Sequence, residues 1–89
     1  MVANPSFEIV DISGEYMAIP VGEKALAVKG VVVLNEAAAF LLRHMKDPQT
    51  VEELSGLLTT EYQVDEETAK RDIDEFVNKV RKIGLIVDN

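Results

Sequence analysis

Cysteine is absent from this chain of 89 residues, and histidine occurs once, as His44. Without thiolates the chain can form no disulfide, no thiolate metal site and no iron–sulfur cluster. His44 has no cysteine or second histidine with which to complete a metal site. We therefore expect no metal and no cofactor, and we interpret His44 as a surface or partly buried residue.

The glycine and serine patterns of nucleotide-binding and hydrolytic sites are also lacking. The five glycines are scattered and form neither GxGxxG nor a phosphate-binding loop. Ser13 is predicted in a turn and Ser55 on a helix, and neither lies in a nucleophile elbow. The acidic residues between Glu61 and Glu67 lack the spacing and turn glycine of an EF-hand, so we assign them to the start of a helix. The sequence thus predicts a protein that is not an enzyme.

Basic residues are in deficit, since 16 acidic residues outnumber 9 basic ones and the formal net charge is −7. Binding to phosphates requires a basic surface, so neither nucleic acid nor an anionic membrane is an expected partner. No apolar run approaches the about 20 residues that span a bilayer, and the amino terminus lacks the pattern of a signal peptide. We expect one cytoplasmic domain over residues 1–89, with a basic or apolar partner.

The first third of the chain has the composition of a small antiparallel sheet. Residues 7–12 and 15–21 are rich in β-branched and aromatic side chains, and the two residues between them predict a tight hairpin. Pro20 should lie at an edge or at the end of the second strand, because it donates no hydrogen bond. A third extended segment is predicted over residues 25–33, with Gly30 as a bulge or a close backbone approach.

Three helices are predicted to follow the sheet. Asn35 caps the first helix directly after the β-branched run, and this helix should end near Lys46, before a proline. The segment from Thr50 to Glu53 has the pattern of a capping box that opens the second helix. Asp65 caps a third helix with apolar residues at a 3.6-residue period, and Gly84 ends it in a left-handed conformation. The final apolar residues, 85–87, form a terminal strand or a hydrophobic tuck. The order predicts an α+β fold, with a three-stranded antiparallel sheet followed by three helices.

Four segments, in this order and spacing, resemble the PqqD-like family: LNEAAAFLL, TVEELSGLL, EYQVDEETAKRDIDEFV and KIGLIV. The resemblance covers about residues 7–87 and implies a winged helix-turn-helix-like domain. It implies a recognition element and peptide chaperone for ribosomally made, post-translationally modified peptides. In such proteins the leader of the precursor peptide adds as a strand to the third strand, lies against the third helix, and is presented to a modifying enzyme such as a radical S-adenosylmethionine protein.

The resemblance also implies where the peptide binds. Carried over to this chain, the site combines the edge of the third strand with one flank of the third helix. The strand residues are Ala27, Val28, Lys29, Gly30, Val31, Val32 and Val33, and the helix residues are Asp72, Glu75, Phe76, Lys79 and Ile83.

Two other functions are compatible with the same elements. A winged-helix protein could bind DNA, but its recognition helix would have to contact phosphates, and residues 65–83 contain six acidic and five basic side chains. Such a mixture is typical of a solvated face, and the alternative is a graded contact surface. A structural subunit could dimerise through an exposed strand edge. As a peptide-binding protein, the chain is expected to be a monomer or a weak homodimer.

Overall fold

The structure is a computed structural model that describes residues 1–22 and 31–88. Within these described residues five short strands form the sheets, and three helices lie between the fourth and the fifth strand. In chain order the elements are β1 (Val2–Ala3), β2 (Phe7–Ile12), β3 (Glu15–Pro20), β4 (Val32–Leu34), α1 (Glu36–His44), α2 (Val51–Tyr62), α3 (Glu66–Lys82) and β5 (Ile86–Val87).

Strands β2, β3 and β4 form the predicted antiparallel sheet, with β3 in the centre. The hairpin between β2 and β3 turns at Ser13 and Gly14, whose φ angles of 53° and 84° are both positive, as a type I′ turn requires. The Asp11 carboxylate accepts a hydrogen bond of 2.9 Å from the Gly14 amide and closes the turn. With three helices after the sheet, the predicted α+β, winged-helix-like class is confirmed.

The strand boundaries differ slightly from the predicted ones. Strand β3 ends at Pro20, so Pro20 lies at the end of a strand as predicted, whereas Val21 falls outside it. Strand β4 continues to Leu34, one residue beyond the predicted end, because Leu34 still pairs with Tyr16. Val31, which was predicted in this strand, lies just before it. The rest of the predicted third strand, residues 25–30 with the bulge at Gly30, lies outside the described residues.

Local capping hydrogen bonds define the starts of α1 and α2 as the sequence predicts. Asp65 is the N-cap residue of α3 as predicted, but its side chain makes no capping hydrogen bond to the backbone of the helix. The Asn35 side chain accepts a hydrogen bond of 2.8 Å from the Ala38 amide. The Thr50 hydroxyl accepts one of 3.1 Å from the Glu53 amide, and the Glu53 carboxylate accepts one of 3.0 Å from the Thr50 amide, so the capping box is complete.

The first and third helices end in different ways. The predicted end of α1 near Lys46 is wrong by two residues, because the Met45 amide bonds to the Leu42 carbonyl three residues back and the last turn tightens. Helix α3 ends in a Schellman motif. The Gly84 amide donates to the Arg81 carbonyl at 3.2 Å and the Leu85 amide to the Val80 carbonyl at 2.9 Å, with Gly84 at a φ of +81°.

The two ends of the chain pair with each other. Strand β1, which the sequence did not predict, runs antiparallel to β5, with Ala3 opposite Ile86. The Asn4 side chain adds a hydrogen bond of 2.9 Å to the Gly84 carbonyl. The terminal strand, one of two predicted alternatives for residues 85–87, is therefore the observed one.

The core lies between the helices and one face of the sheet. Its largest fully buried side chains come from α1 and the residue after it, from α2, from α3 and from the segment before β5: Leu42, Met45, Leu54, Ile73 and Leu85. Of the predicted apolar stripe of α3, Ala69, Ile73, Val77 and Val80 are buried, whereas Ile83 is 44% exposed. In the described part of the chain no helix is long and apolar enough to cross a membrane.

Candidate functional site

A groove of about 330 Å³ lies between β4 and α3, with α1 at its base. We call it the strand–helix groove. Strand β4 and helix α1 contribute three lining residues each, and the residue that caps α1 contributes one more. Helix α3 contributes six, α2 contributes one, and Ile83 follows α3. The lining residues are Val32, Val33, Leu34, Asn35, Ala37, Ala38, Leu41, Leu58, Asp72, Ile73, Glu75, Phe76, Lys79, Val80 and Ile83.

Strand β4 forms an open edge beside this groove. It pairs with β3 on one side, and within the described residues its other side has no partner strand. Val33 is 74% exposed and Val31, just before the strand, is 49% exposed. An unpaired edge presents backbone N–H and C=O groups that another extended segment can satisfy. The edge is therefore a template for one further strand.

The junction between β4 and α1 holds the strand in place beside the helices. The strand ends at Leu34 and the helix begins at Glu36, so Asn35 alone joins them. Because the Asn35 side chain caps α1 and also lines the groove, the angle between strand and helix is set by a local hydrogen bond.

The groove has an apolar floor and a charged rim. Leu41, Leu58, Ile73 and Val80 are buried side chains that form the floor. On the rim, the exposed Asp72, Glu75 and Lys79 follow one another along α3. Such a surface suits a ligand that has apolar side chains flanked by polar ones, because the floor supplies contact area and the rim supplies specificity.

The structure brings many of the predicted site residues to this groove. From the strand these are Val32 and Val33, and from the helix and its end they are Asp72, Glu75, Phe76, Lys79 and Ile83. Val31 is exposed beside β4 but is not part of the lining. The predicted residues Ala27, Val28, Lys29 and Gly30 lie outside the described residues.

The residues that form the floor and the base of the groove were not among the predicted site residues. Ile73 and Val80 were recognised only as core positions of the third helix, and a core residue that borders a groove has the same periodicity as any other. The α1 residues Ala37, Ala38 and Leu41 were also missed. The run of alanines is a signal that could have indicated them, because small side chains leave space beside a helix.

Two titratable side chains outside the groove, those of His44 and Tyr62, lie beside Phe40. His44 is exposed, and its ring packs edge-on against Phe40 at a centroid distance of 4.7 Å. Partial burial raises the pKa of Tyr62, and the nearby Glu36 and Glu61 raise it further. Within residues 1–22 and 31–88, no group of three or more His, Cys, Asp or Glu side chains could hold a metal ion.

Comparison with known proteins identifies one family whose model matches the chain and two solved structures that resemble it. The family model described as coenzyme PQQ synthesis protein D (PqqD) matches residues 23–86. No curated protein sequence matches the chain.

Both structures have the fold of this chain at low sequence identity. One is described as lasso peptide synthetase B1 complexed with the leader peptide; it is 21% identical, with 97% of this chain and 95% of that chain covered and a TM-score of 0.73. The other is described as TbiB1 in complex with the TbiA(beta) leader peptide. It is 18% identical, with 99% of this chain and 100% of that chain covered and a TM-score of 0.75.

Proposed function

The chain belongs to the PqqD family, and we propose that it is a non-catalytic module that binds the leader of a ribosomally made precursor peptide. The observation that carries this proposal is the open edge of β4 beside the apolar strand–helix groove. Two proteins that share the fold are described as complexes with leader peptides, which supports the same class of ligand here.

We propose that the leader binds by strand addition to β4. Its backbone would pair with the free N–H and C=O groups of the strand, and every second side chain would face α3. Backbone pairing is largely independent of sequence, so it supplies affinity. Selectivity then comes from contacts with Phe76, Ile83 and the charged rim of α3.

We further propose that the bound leader is presented to a modifying enzyme, such as a radical S-adenosylmethionine protein. A leader on β4 and α3 leaves the hairpin of β2 and β3 uncovered, so a second protein could contact this domain without displacing the peptide. Residues 1–89 would act as one recognition domain, and the pairing of β1 with β5 supports this, because it joins the two ends of the described chain.

Backbone methylation of the peptide tests strand addition without altering the protein. The first step is to search beside the gene for this chain for a short open reading frame that encodes a precursor peptide. Its leader is synthesised, methylated at one backbone nitrogen at a time and titrated calorimetrically. Consecutive residues of a strand point their N–H groups to opposite sides. We therefore expect affinity to fall at every second position. A uniform response along the peptide, or none, would refute pairing with a strand edge.

Proline substitutions locate the edge on the protein. Val32→Pro and Val33→Pro each remove one N–H, and because the two groups point to opposite sides of β4, only one of them faces the free edge. The variant that remains folded by circular dichroism should bind the leader at least about tenfold more weakly, since it loses a hydrogen bond and deforms the strand. Lys79→Ala, a change on the rim, should cost less than about fivefold. If both proline variants fold and bind like the parent protein, the peptide does not pair with β4.

A further inference from the structure

We propose that the segment bound in the strand–helix groove carries a basic and an acidic side chain four residues apart, with an apolar side chain midway between them on the same face. The basic side chain would lie against Asp72 and Glu75, the apolar one against Phe76 and the acidic one against Lys79. This inference rests on the proposed function and specifies its substrate class.

In the part of the lining that the structure describes, the charged side chains lie on one wall of the groove. Among the described lining residues, β4 and α1 contribute apolar side chains and Asn35, whereas α3 contributes Asp72, Glu75 and Lys79. Asp72 lies about two helical turns before Lys79, and Glu75 lies about one turn before it. The wall therefore has an acidic section and a basic section in a defined order.

These three side chains are available to a ligand. The ion pair found in the described part of the chain joins Arg81 to Asp88 at 2.9 Å, and none of the three rim charges takes part in it. All three are exposed. Glu75 and Lys79 are four residues apart and attract each other across one turn, but such pairs change an equilibrium by only about twofold, so a peptide charge can compete.

The spacing follows from the geometry of a helix and a strand. At a rise of about 1.5 Å per residue, Asp72 and Lys79 are separated by about 10 Å along α3. Side chains on one face of an extended peptide repeat every two residues, about 6.7 Å. The half-buried Phe76 lies between the two charged sections and requires an apolar side chain opposite it. The apolar residue of the peptide occupies the face position between the two charged ones, so the charged residues of the peptide lie about 13 Å apart. Their long side chains span the difference between this distance and the separation of Asp72 and Lys79.

Two peptides of identical composition test the pattern. In Thr-Lys-Thr-Leu-Thr-Glu-Thr the lysine, leucine and glutamate share one face of an extended strand, whereas in Lys-Thr-Thr-Leu-Thr-Thr-Glu both charges lie on the face opposite the leucine. Each peptide is also made with lysine and glutamate exchanged, so that both directions along β4 are covered, and the tighter-binding order of each is compared. Each is labelled with fluorescein, and binding to the full chain is measured by fluorescence anisotropy. We expect the first peptide to bind about three- to tenfold more tightly, because two exposed charge pairs each contribute at most about fivefold.

Paired variants identify the residues responsible. Glu75→Gln combined with Lys79→Gln leaves the net charge unchanged and should remove most of the preference for the first peptide. Lys70→Gln combined with Asp74→Asn is the matched control, because these residues are also four apart and exposed on α3 but do not line the groove. The control should keep the preference.

The inference is overturned if the parent protein binds both peptides equally, if it binds neither, or if the preference survives neutralisation of Glu75 and Lys79. The proposed function is judged separately, by the methylation series of the encoded leader. A leader that pairs with β4 while the two test peptides bind alike would refute only the charge pattern.

Discussion

At the scale of a residue, the backbone angle of Gly84 contributes to the stability of the fold. Its φ of +81° lies in the left-handed region, and a Cβ atom built there would meet nothing within 4 Å. Any cost of Gly84→Ala therefore comes from the backbone and not from a clash. We expect the free energy of unfolding to fall by about 1–2 kcal/mol, measured by urea denaturation.

Gly56 provides the matched control for that prediction. It lies inside α2, and a Cβ atom there would also meet nothing within 4 Å. Because alanine is a better helix former, Gly56→Ala should raise the free energy of unfolding by about 0.5–1 kcal/mol. If both variants change stability in the same direction, the argument from φ is wrong.

At Asp65 we expect the contribution of one side chain to stability to depend on pH. The Thr68 hydroxyl beside its carboxylate lowers the pKa of Asp65 below its ordinary value. A carboxylate whose pKa is lower in the folded state stabilises the fold above its ordinary pKa, and this contribution disappears as the pH falls through the folded-state value. Asp65→Asn should therefore lower the melting temperature at pH 7 relative to the parent protein, with a smaller difference at pH 2. A difference that is independent of pH would contradict this role.

At the scale of an element, the start of α2 depends on its capping box. Thr50→Ala removes the hydroxyl that accepts from the Glu53 amide, and we expect a loss of about 1 kcal/mol in the free energy of unfolding. Thr60→Ala, an exposed threonine near the end of the same helix, is the control and should have little effect. Equal losses for the two variants in urea denaturation would show that the cap is unimportant.

At the scale of the whole molecule, Asn4 connects the amino-terminal segment to the end of α3. Its side chain donates to the Gly84 carbonyl and accepts from the Ser6 amide, both at 2.9 Å. Asn4→Ala should lower the free energy of unfolding by about 1–2 kcal/mol, because two hydrogen bonds are lost. Asn78→Ala, at an exposed position of α3, is the control. Leader affinity should be unchanged in Asn4→Ala once folding is complete, and a weaker affinity would show that the chain ends influence the groove.

The overall charge leads to a second prediction at this scale. With a net charge of −7, the protein should not retard random duplex DNA in a mobility-shift assay at physiological salt, because phosphate binding needs clustered cations. Retention that weakens as salt is added would favour the DNA-binding alternative.

The sequence by itself determined the features that depend on neighbouring residues. Hydrogen bonds or backbone angles within a few positions define the roles of Asn35, of the pair Thr50 and Glu53, and of Gly84. These roles could therefore be predicted from residue type and spacing. The hairpin was predictable for the same reason. The helix side of the candidate site, from Asp72 to Ile83, came from the family resemblance, and the structure places those residues on one groove.

Only the tertiary structure decided what depends on residues far apart in the chain. Strands β1 and β5 have two residues each, too few to show any periodicity, and they exist because the two chain ends meet. The groove likewise needs β4, α1 and α3 together, and its floor consists of residues such as Ile73 that have the pattern of ordinary core positions. Burial and pairing between distant segments are set by how whole elements pack, and a local pattern of residue types carries no information on that arrangement.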